Sequence, residues 1–305
     1  MELGTEVLRR QLRAAFKLPG VAEARLYLDS LAIRSPALPH VRITSVTHDV
    51  TQSNFNGTWV APRNTNPESL VLYLHGGGYS FYPRSSYNNM AALLALSTNS
   101  KLFMPDYRLS PVYKFPAQLQ DAIHAYKWLL SEGTDPKKLV VLGDSAGGNL
   151  TLALLLSLRD AHLPLPALAV CFSPATDFQS PAAMLSTPTQ LDWITQEMAL
   201  QWADWFCTPA ERSNPLVSPV LADLTHLPPI YIQAGGAEIL LPGIQQFAKQ
   251  AKLQGADVTL EIWPEMNHVF QAFGYDVPQS MAALKRVREV IALRMARTYK
   301  QPAIT

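Results

Sequence analysis

A serine in a glycine-rich turn is the first residue of this chain that could do chemistry. Ser145 lies in VVLGDSAGGNL, between Gly143 and Gly147, directly after an apolar strand and before a long helical pattern. This arrangement is typical of a nucleophile elbow, in which glycines allow a tight turn that projects the serine hydroxyl above a sheet. We therefore predict that Ser145 is a nucleophile.

The letters GDS also occur around the serine of chymotrypsin-like proteases, and the context excludes that alternative. Those enzymes are β-barrels whose serine follows its histidine and aspartate in the chain. Here Ser145 opens a helix in a chain that alternates strands with helices. The elbow interpretation is therefore favoured.

A serine hydroxyl is a weak nucleophile and needs a base, for which seven histidines are available. His268 stands in WPEMNHVFQAF, just beyond the last predicted strand. The carboxyl ends of strands are where the active sites of open α/β folds collect, and His268 follows the serine in the order that elbow enzymes require. We predict that His268 is the base.

Two acidic residues compete for the position that orients this base. Glu238 follows the strand PIYIQAG in the loop GGAEILLPG, and Asp177 follows the preceding strand in SPATDF. Both loops lie at the strand ends where the serine and the histidine are expected. We expect Glu238 to be the acid, and Asp177 stays as the alternative.

Three consecutive glycines in VLYLHGGGYS raise the question of what a costly flexible loop is for. Attack on an ester carbonyl puts negative charge on its oxygen, which preorganised N–H donors stabilise. A loop without side chains can turn its amides toward Ser145. We predict an oxyanion hole formed by the amides of Gly77, Gly78 and Ala146, while His75 shapes the loop.

The hydrophobic pattern predicts an α/β fold with an eight-stranded, mostly parallel sheet and helices on both faces. HVRITSVTHDV and NFNGTWVAP alternate apolar with polar residues, which indicates an antiparallel hairpin. Six later runs are compact and apolar, as expected of parallel strands buried on both faces. We predict helices at 86–97, 116–131, 148–160, 243–255 and 278–298, within a single domain of residues 1–305.

A helical cap is predicted from residues 1–38 and 179–218. The second segment contains LDWITQEMALQWADWF, which is more sequence than a crossover helix requires, and the first is amphipathic. Aromatic residues of the glycine loop and the cap are expected to wall an apolar pocket, although several of them could simply pack the cap against the body. They are Tyr79, Phe81, Trp193, Trp202, Trp205 and Phe206.

Composition narrows the class of partner. The formal net charge is +1, which gives no electrostatic reason to bind nucleic acid or an anionic membrane. Two cysteines form no disulfide framework, and Cys171 lies in an apolar run, which is typical of a buried thiol. We expect a cytoplasmic protein without membrane insertion, metal or cofactor, acting on a small molecule. The sequence is compatible with a homodimer.

The motifs HGGGY, DYRLSP, GDSAGG and MNHVF, in this order, resemble the hormone-sensitive-lipase branch of the α/β-hydrolases, the bacterial family IV carboxylesterases. The resemblance spans roughly residues 70–273. It implies the α/β-hydrolase fold with a helical cap, and hydrolysis of short-chain esters through an acyl-enzyme without a cofactor. The family's usual acid is an aspartate before Pro-Leu, whereas this chain has Glu238 before Ile-Leu. Val112 and Tyr113 also replace the family's common Glu-His.

Two other functions are compatible with this scaffold. A lactonase or a specialised deacetylase would use the same residues on a different ester. A small-molecule receptor, as in the plant gibberellin receptors that resemble this family, would lack the catalytic histidine. The presence of His268 favours an enzyme.

Overall fold

A central sheet organises the part of the chain that the computed structural model describes, residues 2–15, 17–18, 20–32, 40–48, 55–63, 69–81, 84–179 and 191–300. The sheet has eight strands in the order β1-β2-β4-β3-β5-β6-β7-β8. Their bounds are β1 Val41–His48, β2 Phe55–Pro62, β3 Leu70–Leu74, β4 Lys101–Pro105, β5 Leu139–Asp144, β6 Leu168–Phe172, β7 Ile230–Gly235 and β8 Val258–Trp263.

Pairing within the sheet follows the sequence pattern. Strands β1 and β2 form the predicted antiparallel hairpin, with Val41 opposite Pro62. Strand β2 is antiparallel to β4, and the pairs from β4 through β3 to β8 are parallel. Every residue of β5 is buried, as expected of a strand covered on both faces. The predicted eight-stranded, mostly parallel sheet is confirmed.

Helices cover both faces of the sheet. Those described are α1 Glu2–Ala15, α2 Val21–Ala32, α3 Arg84–Thr98, α4 Ala117–Ser131, α5 Ala146–Asp160, α6 Gln196–Phe206, α7 Leu241–Leu253 and α8 Pro278–Lys300. Helices α3 and α8 pack on the face that carries Val140, while α4 and α5 pack on the face that carries Val141. Alternate residues of one strand thus enter two separate cores. No helix among the described residues is long and apolar enough to cross a membrane.

The Trp-rich segment becomes helical later than its sequence suggests. Helix α6 begins at Gln196, because the Thr195 hydroxyl accepts a hydrogen bond from the Met198 amide at 3.2 Å and caps the helix. Residues 191–195 are therefore not helical. Residues 180–190 of this segment, and residues 1, 16, 19 and 33–38 of the other predicted cap segment, lie outside the described residues.

An apolar cluster joins the N-terminal helices to α6. We call it the α1–α2–α6 cluster, and it consists of Ala15, Ala24, Leu28, Phe81, Ile194, Met198, Trp202 and Ile239. Phe81 follows the glycine loop and Ile239 follows Glu238, so the cluster covers the carboxyl end of the sheet. The division into one domain with a cap of residues 1–38 and 179–218 stays a prediction.

Candidate active site

Ser145 occupies a sharp turn between β5 and α5. Its backbone has φ = 55° and ψ = −118°, a conformation that is rare for a residue with a side chain. A Cβ on Gly147 would collide with the Leu74 carbonyl oxygen, and one on Gly143 would collide with the Gly147 carbonyl oxygen. The two glycines therefore allow α5 to begin directly against the ends of β3 and β5.

The serine and the histidine meet across the sheet edge. The Ser145 Oγ lies 2.8 Å from the His268 Nε2, which is hydrogen-bonding distance. His268 follows β8, and its side chain is fully buried. This pairing leaves the Nδ1 of the ring directed toward the loop that follows β7.

Glu238 lies on that side of the imidazole. Its Oε2 is 3.7 Å from the His268 Nδ1, longer than a hydrogen bond, as is common in enzymes without substrate. The same oxygen accepts hydrogen bonds from the Ser173 hydroxyl and from the Gly235 amide. Burial raises the pKa of Glu238 above its usual value, and the His268 ring and the Ser173 hydroxyl offset part of that rise.

Asp177, the alternative acid, is placed differently. One of its carboxylate oxygens accepts a hydrogen bond from the Gln179 amide at 2.6 Å. The residue lies in the wall of a cavity above Ser145. Geometry therefore favours Glu238 as the partner of the imidazole.

The glycine loop after β3 follows an unusual backbone path. Gly77 and Gly78 have φ of 96° and 58°, and Tyr79 continues with 59°, which is costly for a residue with a bulky side chain. A Cβ on Gly77 would collide with the Phe81 carbonyl oxygen. Within the described residues the Gly77 and Gly78 amides donate no hydrogen bond to a backbone carbonyl. The Ala146 amide, at the first turn of α5, likewise has no intrahelical acceptor.

Buried polar groups support this loop from below. The Asp144 Oδ1 accepts hydrogen bonds from the Gly76 amide at 3.0 Å and the Tyr73 hydroxyl at 2.7 Å. Burial raises the pKa of Asp144 from 3.8 to about 6. Burial also lowers the pKa of His75 to about 3, and its Nδ1 donates to the Gly76 carbonyl. His75 is therefore neutral at ordinary pH, in keeping with a role in shaping the loop.

Asn149 is a supporting residue that sequence reasoning missed. Its Oδ1 accepts from the Tyr79 hydroxyl at 2.6 Å, and its Nδ2 donates to the carbonyls of Ala175 and Val217. One buried side chain thus ties the glycine loop to two loops on the far side of the elbow. Its place directly after GDSAGG, on the first turn of α5, was the available signal.

A small cavity of about 60 Å³ opens above the serine. It is lined by Gly78, Tyr79, Ser145, Ala146, Ala175, Asp177, Phe178, Ile194, Ala199, Trp202, Ala203 and Leu240. The Trp202 ring lies so close to Gly78 that a Cβ at position 78 would sit 2.9 Å from the indole. Apolar side chains from the glycine loop and α6 therefore limit what can reach the serine.

The predicted pocket aromatics divide into two groups. Tyr79 and Trp202 line the cavity, whereas the other four, which are Phe81, Trp193, Trp205 and Phe206, do not appear in its wall. Trp193 donates its Nε1 hydrogen to the His268 carbonyl, and Trp205 packs on Phe81 of the cluster. Phe206 stacks on the far side of Tyr79 at 3.8 Å between ring centroids. These four pack the surrounding elements together rather than form the cavity.

Comparison with known proteins identifies the family. Residues 71–272 match a family model described as the alpha/beta hydrolase fold. An acetyl-hydrolase of Streptomyces hygroscopicus is 35% identical over 77% of this chain and 79% of its own. An ethyl acetate hydrolase of Pseudomonas putida is 28% identical over 73% of this chain and 72% of its own.

A solved structure extends the similarity over nearly the whole chain. An esterase from the bacterial hormone-sensitive lipase family superposes with a TM-score of 0.87 at 30% identity, over 95% of this chain and 98% of that one. The chain belongs to the α/β-hydrolase fold family, in its hormone-sensitive-lipase-like branch. Its fold and its class, a carboxylic ester hydrolase, are those that the four motifs predicted.

The two acids can be separated by mutation. We expect Glu238→Ala to lower kcat by roughly three to four orders of magnitude, because the imidazole loses the partner that orients it. Glu238→Asp should recover part of that loss. Asp177→Ala should change kcat much less. The measurement is kcat at equal folded fraction, and a nearly inactive Asp177→Ala beside a mildly affected Glu238→Ala would reverse the assignment.

Asp144 gives a pH dependence of stability with a definite sign. Between pH 3.8 and about pH 6 the Asp144 carboxyl keeps a proton in the folded protein that it has lost in the unfolded chain. The free energy of unfolding therefore falls as the pH rises through this range. From about pH 4.5 to 7.5 the free energy of unfolding of the wild type should fall by about 2 kcal/mol more than that of Asp144→Asn. His75 contributes with the opposite sign and cancels in this comparison. Urea unfolding at both pH values measures it, and equal losses would contradict the prediction.

Proposed function

We propose that this protein hydrolyses short-chain carboxylic esters, acetyl esters foremost, with Ser145 as nucleophile, His268 as base and Glu238 as the acid that orients it. The observation that carries the proposal is the 2.8 Å contact between the Ser145 Oγ and the His268 Nε2 at the floor of a small apolar cavity. A nucleophile that is already hydrogen-bonded to its base is ready to attack a carbonyl carbon.

Acylation uses the groups in the following order. His268 removes the proton from the Ser145 hydroxyl as its oxygen bonds to the ester carbonyl carbon. The carbonyl oxygen becomes an oxyanion, which accepts hydrogen bonds from the amides of Gly77, Gly78 and Ala146. The imidazolium is stabilised by Glu238, and it then gives its proton to the departing alcohol, which leaves an acyl group on Ser145.

Deacylation repeats the same steps with water. His268 removes a proton from a water molecule, whose oxygen attacks the acyl carbon, and the same amides hold the second oxyanion. The imidazolium returns the proton to the Ser145 oxygen as the carboxylic acid leaves.

The size of the cavity supports a short acyl group. Its volume of about 60 Å³ corresponds to roughly four to six water molecules, since each needs about 10–15 Å³ of such space. An acetyl group has three non-hydrogen atoms and fits, whereas a long acyl chain requires the wall to move. The names of two relatives, an acetyl-hydrolase and an ethyl acetate hydrolase, support the same substrate class.

The location and the assembly of the protein stay predictions. Both cysteines are free and buried, and burial raises the pKa of Cys207 to about 11. Reduced buried thiols support the proposed cytoplasmic location.

A series of p-nitrophenyl esters tests the proposed function. We expect kcat/KM to be highest for acyl chains of about two to four carbons and to fall steadily beyond them, because the wall excludes longer chains. Ser145→Ala should lower kcat by roughly six orders of magnitude, and a fluorophosphonate should label Ser145 alone. Wild-type turnover that survives in Ser145→Ala, or a preference for long-chain emulsified triglycerides, would contradict the proposal.

Trp202 should set the limit on acyl length. In Trp202→Leu we expect the ratio of kcat/KM for hexanoate to that for acetate to rise roughly ten-fold or more, because space opens beside Gly78. Trp128→Leu is the matched control, since Trp128 packs on Trp59 and Phe103 away from the cavity. Equal ratios in the two variants would show that Trp202 does not limit chain length.

A further inference from the structure

Asp192 is a buried carboxylate beside the catalytic loops that the proposed mechanism does not use. It is fully buried, and it lies in residues 191–195, which precede α6 and are not helical. Its Oδ1 accepts from the amides of Trp193 at 2.8 Å and His268 at 3.1 Å. Its Oδ2 accepts from the Ile239 amide at 2.7 Å.

These acceptors explain why the residue is an aspartate. The two carboxylate oxygens accept hydrogen bonds from three amides. An asparagine has only one such oxygen and would turn an N–H group toward an amide donor. Burying a carboxylate is costly unless charge-assisted hydrogen bonds compensate for the lost water. The bonds to His268 and Ile239 cross from the cap insertion to two other loops, so they do more than satisfy the local turn.

The two long-range amides belong to the catalytic loops themselves. One is the amide of His268, the proposed base, and the other is that of Ile239, which directly follows Glu238. The next residue, Trp193, donates its Nε1 hydrogen to the His268 carbonyl at 2.9 Å, and its ring meets the imidazole edge-on at 5.5 Å between centroids. Consecutive residues thus hold both the N–H and the C=O of the histidine.

We propose that Asp192, assisted by Trp193, is a positioning residue that holds the loops of His268 and Glu238 in register and makes their geometry depend on a seated cap. This inference rests on the proposed function. The adjoining Ile194 belongs to the α1–α2–α6 cluster, and Arg13 of α1 donates to the Asp192 carbonyl. Displacement of these elements would therefore move the histidine and the glutamate together.

Charge adds a second, measurable effect. Among the described residues, the ionisable groups near His268 are Glu238 after β7, Asp144 at the end of β5 and Asp192 before α6, whose carboxylate accepts from the His268 backbone amide. Arg13 of α1 donates to the backbone carbonyl of Asp192. The negative charge of Asp192 also raises the pKa of Glu238. A negative charge beside an imidazole favours its protonated form, so loss of the Asp192 charge should lower the pH at which the base is protonated.

The test compares Asp192→Asn with Asp223→Asn. Asp223 is the matched control, because its carboxylate also accepts from backbone and hydroxyl donors, at Thr225, but is exposed and distant from the site. For p-nitrophenyl acetate, with sites counted by fluorophosphonate titration, Asp192→Asn should lower kcat about 10- to 100-fold with KM within about twofold. The acid limb of kcat/KM should move down by roughly half a pH unit or more. Asp223→Asn should match the wild type.

Trp193→Phe provides a second variant if Asp192→Asn does not fold. It removes the hydrogen bond to the His268 carbonyl but keeps the carboxylate, so kcat should fall roughly three- to ten-fold while the acid limb stays in place. A merely structural role for this segment would lower the melting temperature of the variants and leave kcat per titrated site and the acid limb unchanged. That result in Asp192→Asn, or wild-type kcat in Trp193→Phe when Asp192→Asn is unfolded, would overturn the inference.

A nuclear magnetic resonance titration of the His268 ring separates this inference from the proposed function. If the wild type hydrolyses no ester, the proposed function fails by itself, and the titration still reports on the positioning residue. A lower ring pKa in Asp192→Asn than in the wild type would support the assignment of Asp192. Identical titration curves would overturn it.

Discussion

The backbone of Ser145 is the constraint on which the rest of the site depends. Its φ of 55° costs a residue with a side chain about 1–3 kcal/mol, which surrounding structure must offset. Gly143 and Gly147 remove the atoms that would keep β3, β5 and α5 apart. Because the end of β3 lies so close to the elbow, the glycine loop that follows it reaches the serine without a long excursion.

Close packing at the elbow also explains the density of buried charge around it. The carboxylates of Asp144, Asp192 and Glu238 are all nearly inaccessible to water. Asp144 and Asp192 accept backbone N–H groups from neighbouring loops, and Glu238 accepts from the Gly235 amide and from the Ser173 hydroxyl after β6. Such groups are costly to bury and strongly destabilising when a partner is lost. The loops that carry the chemistry are therefore held by the same bonds that make the carboxylates tolerable, which limits how far any of them moves alone.

The sequence predicts those parts of the fold and the site that depend on residues close together in the chain. The alternating hairpin, the apolar parallel strands and the elbow around Ser145 each leave a pattern within a few residues, and chain order then pointed to His268. The start of α6 depended on one hydroxyl, that of Thr195, in a segment whose apolar spacing continues upstream. Asp192 left no such pattern, because its partners lie far away in the chain. Asn149 follows GDSAGG directly, but only tertiary contact reveals which loops it joins.

The α1–α2–α6 cluster has a consequence for how the chain is made. Ala24 and Leu28 of α2 emerge from the ribosome before their partners Met198 and Ile239, and most of the sheet is synthesised in between. Until then only α1, α3 and Phe81 are available to cover the apolar face of α2, and apolar surface that stays exposed favours association with other chains. During synthesis, α2 therefore avoids association with other chains only if α6 and the loop of Ile239 pack on it first.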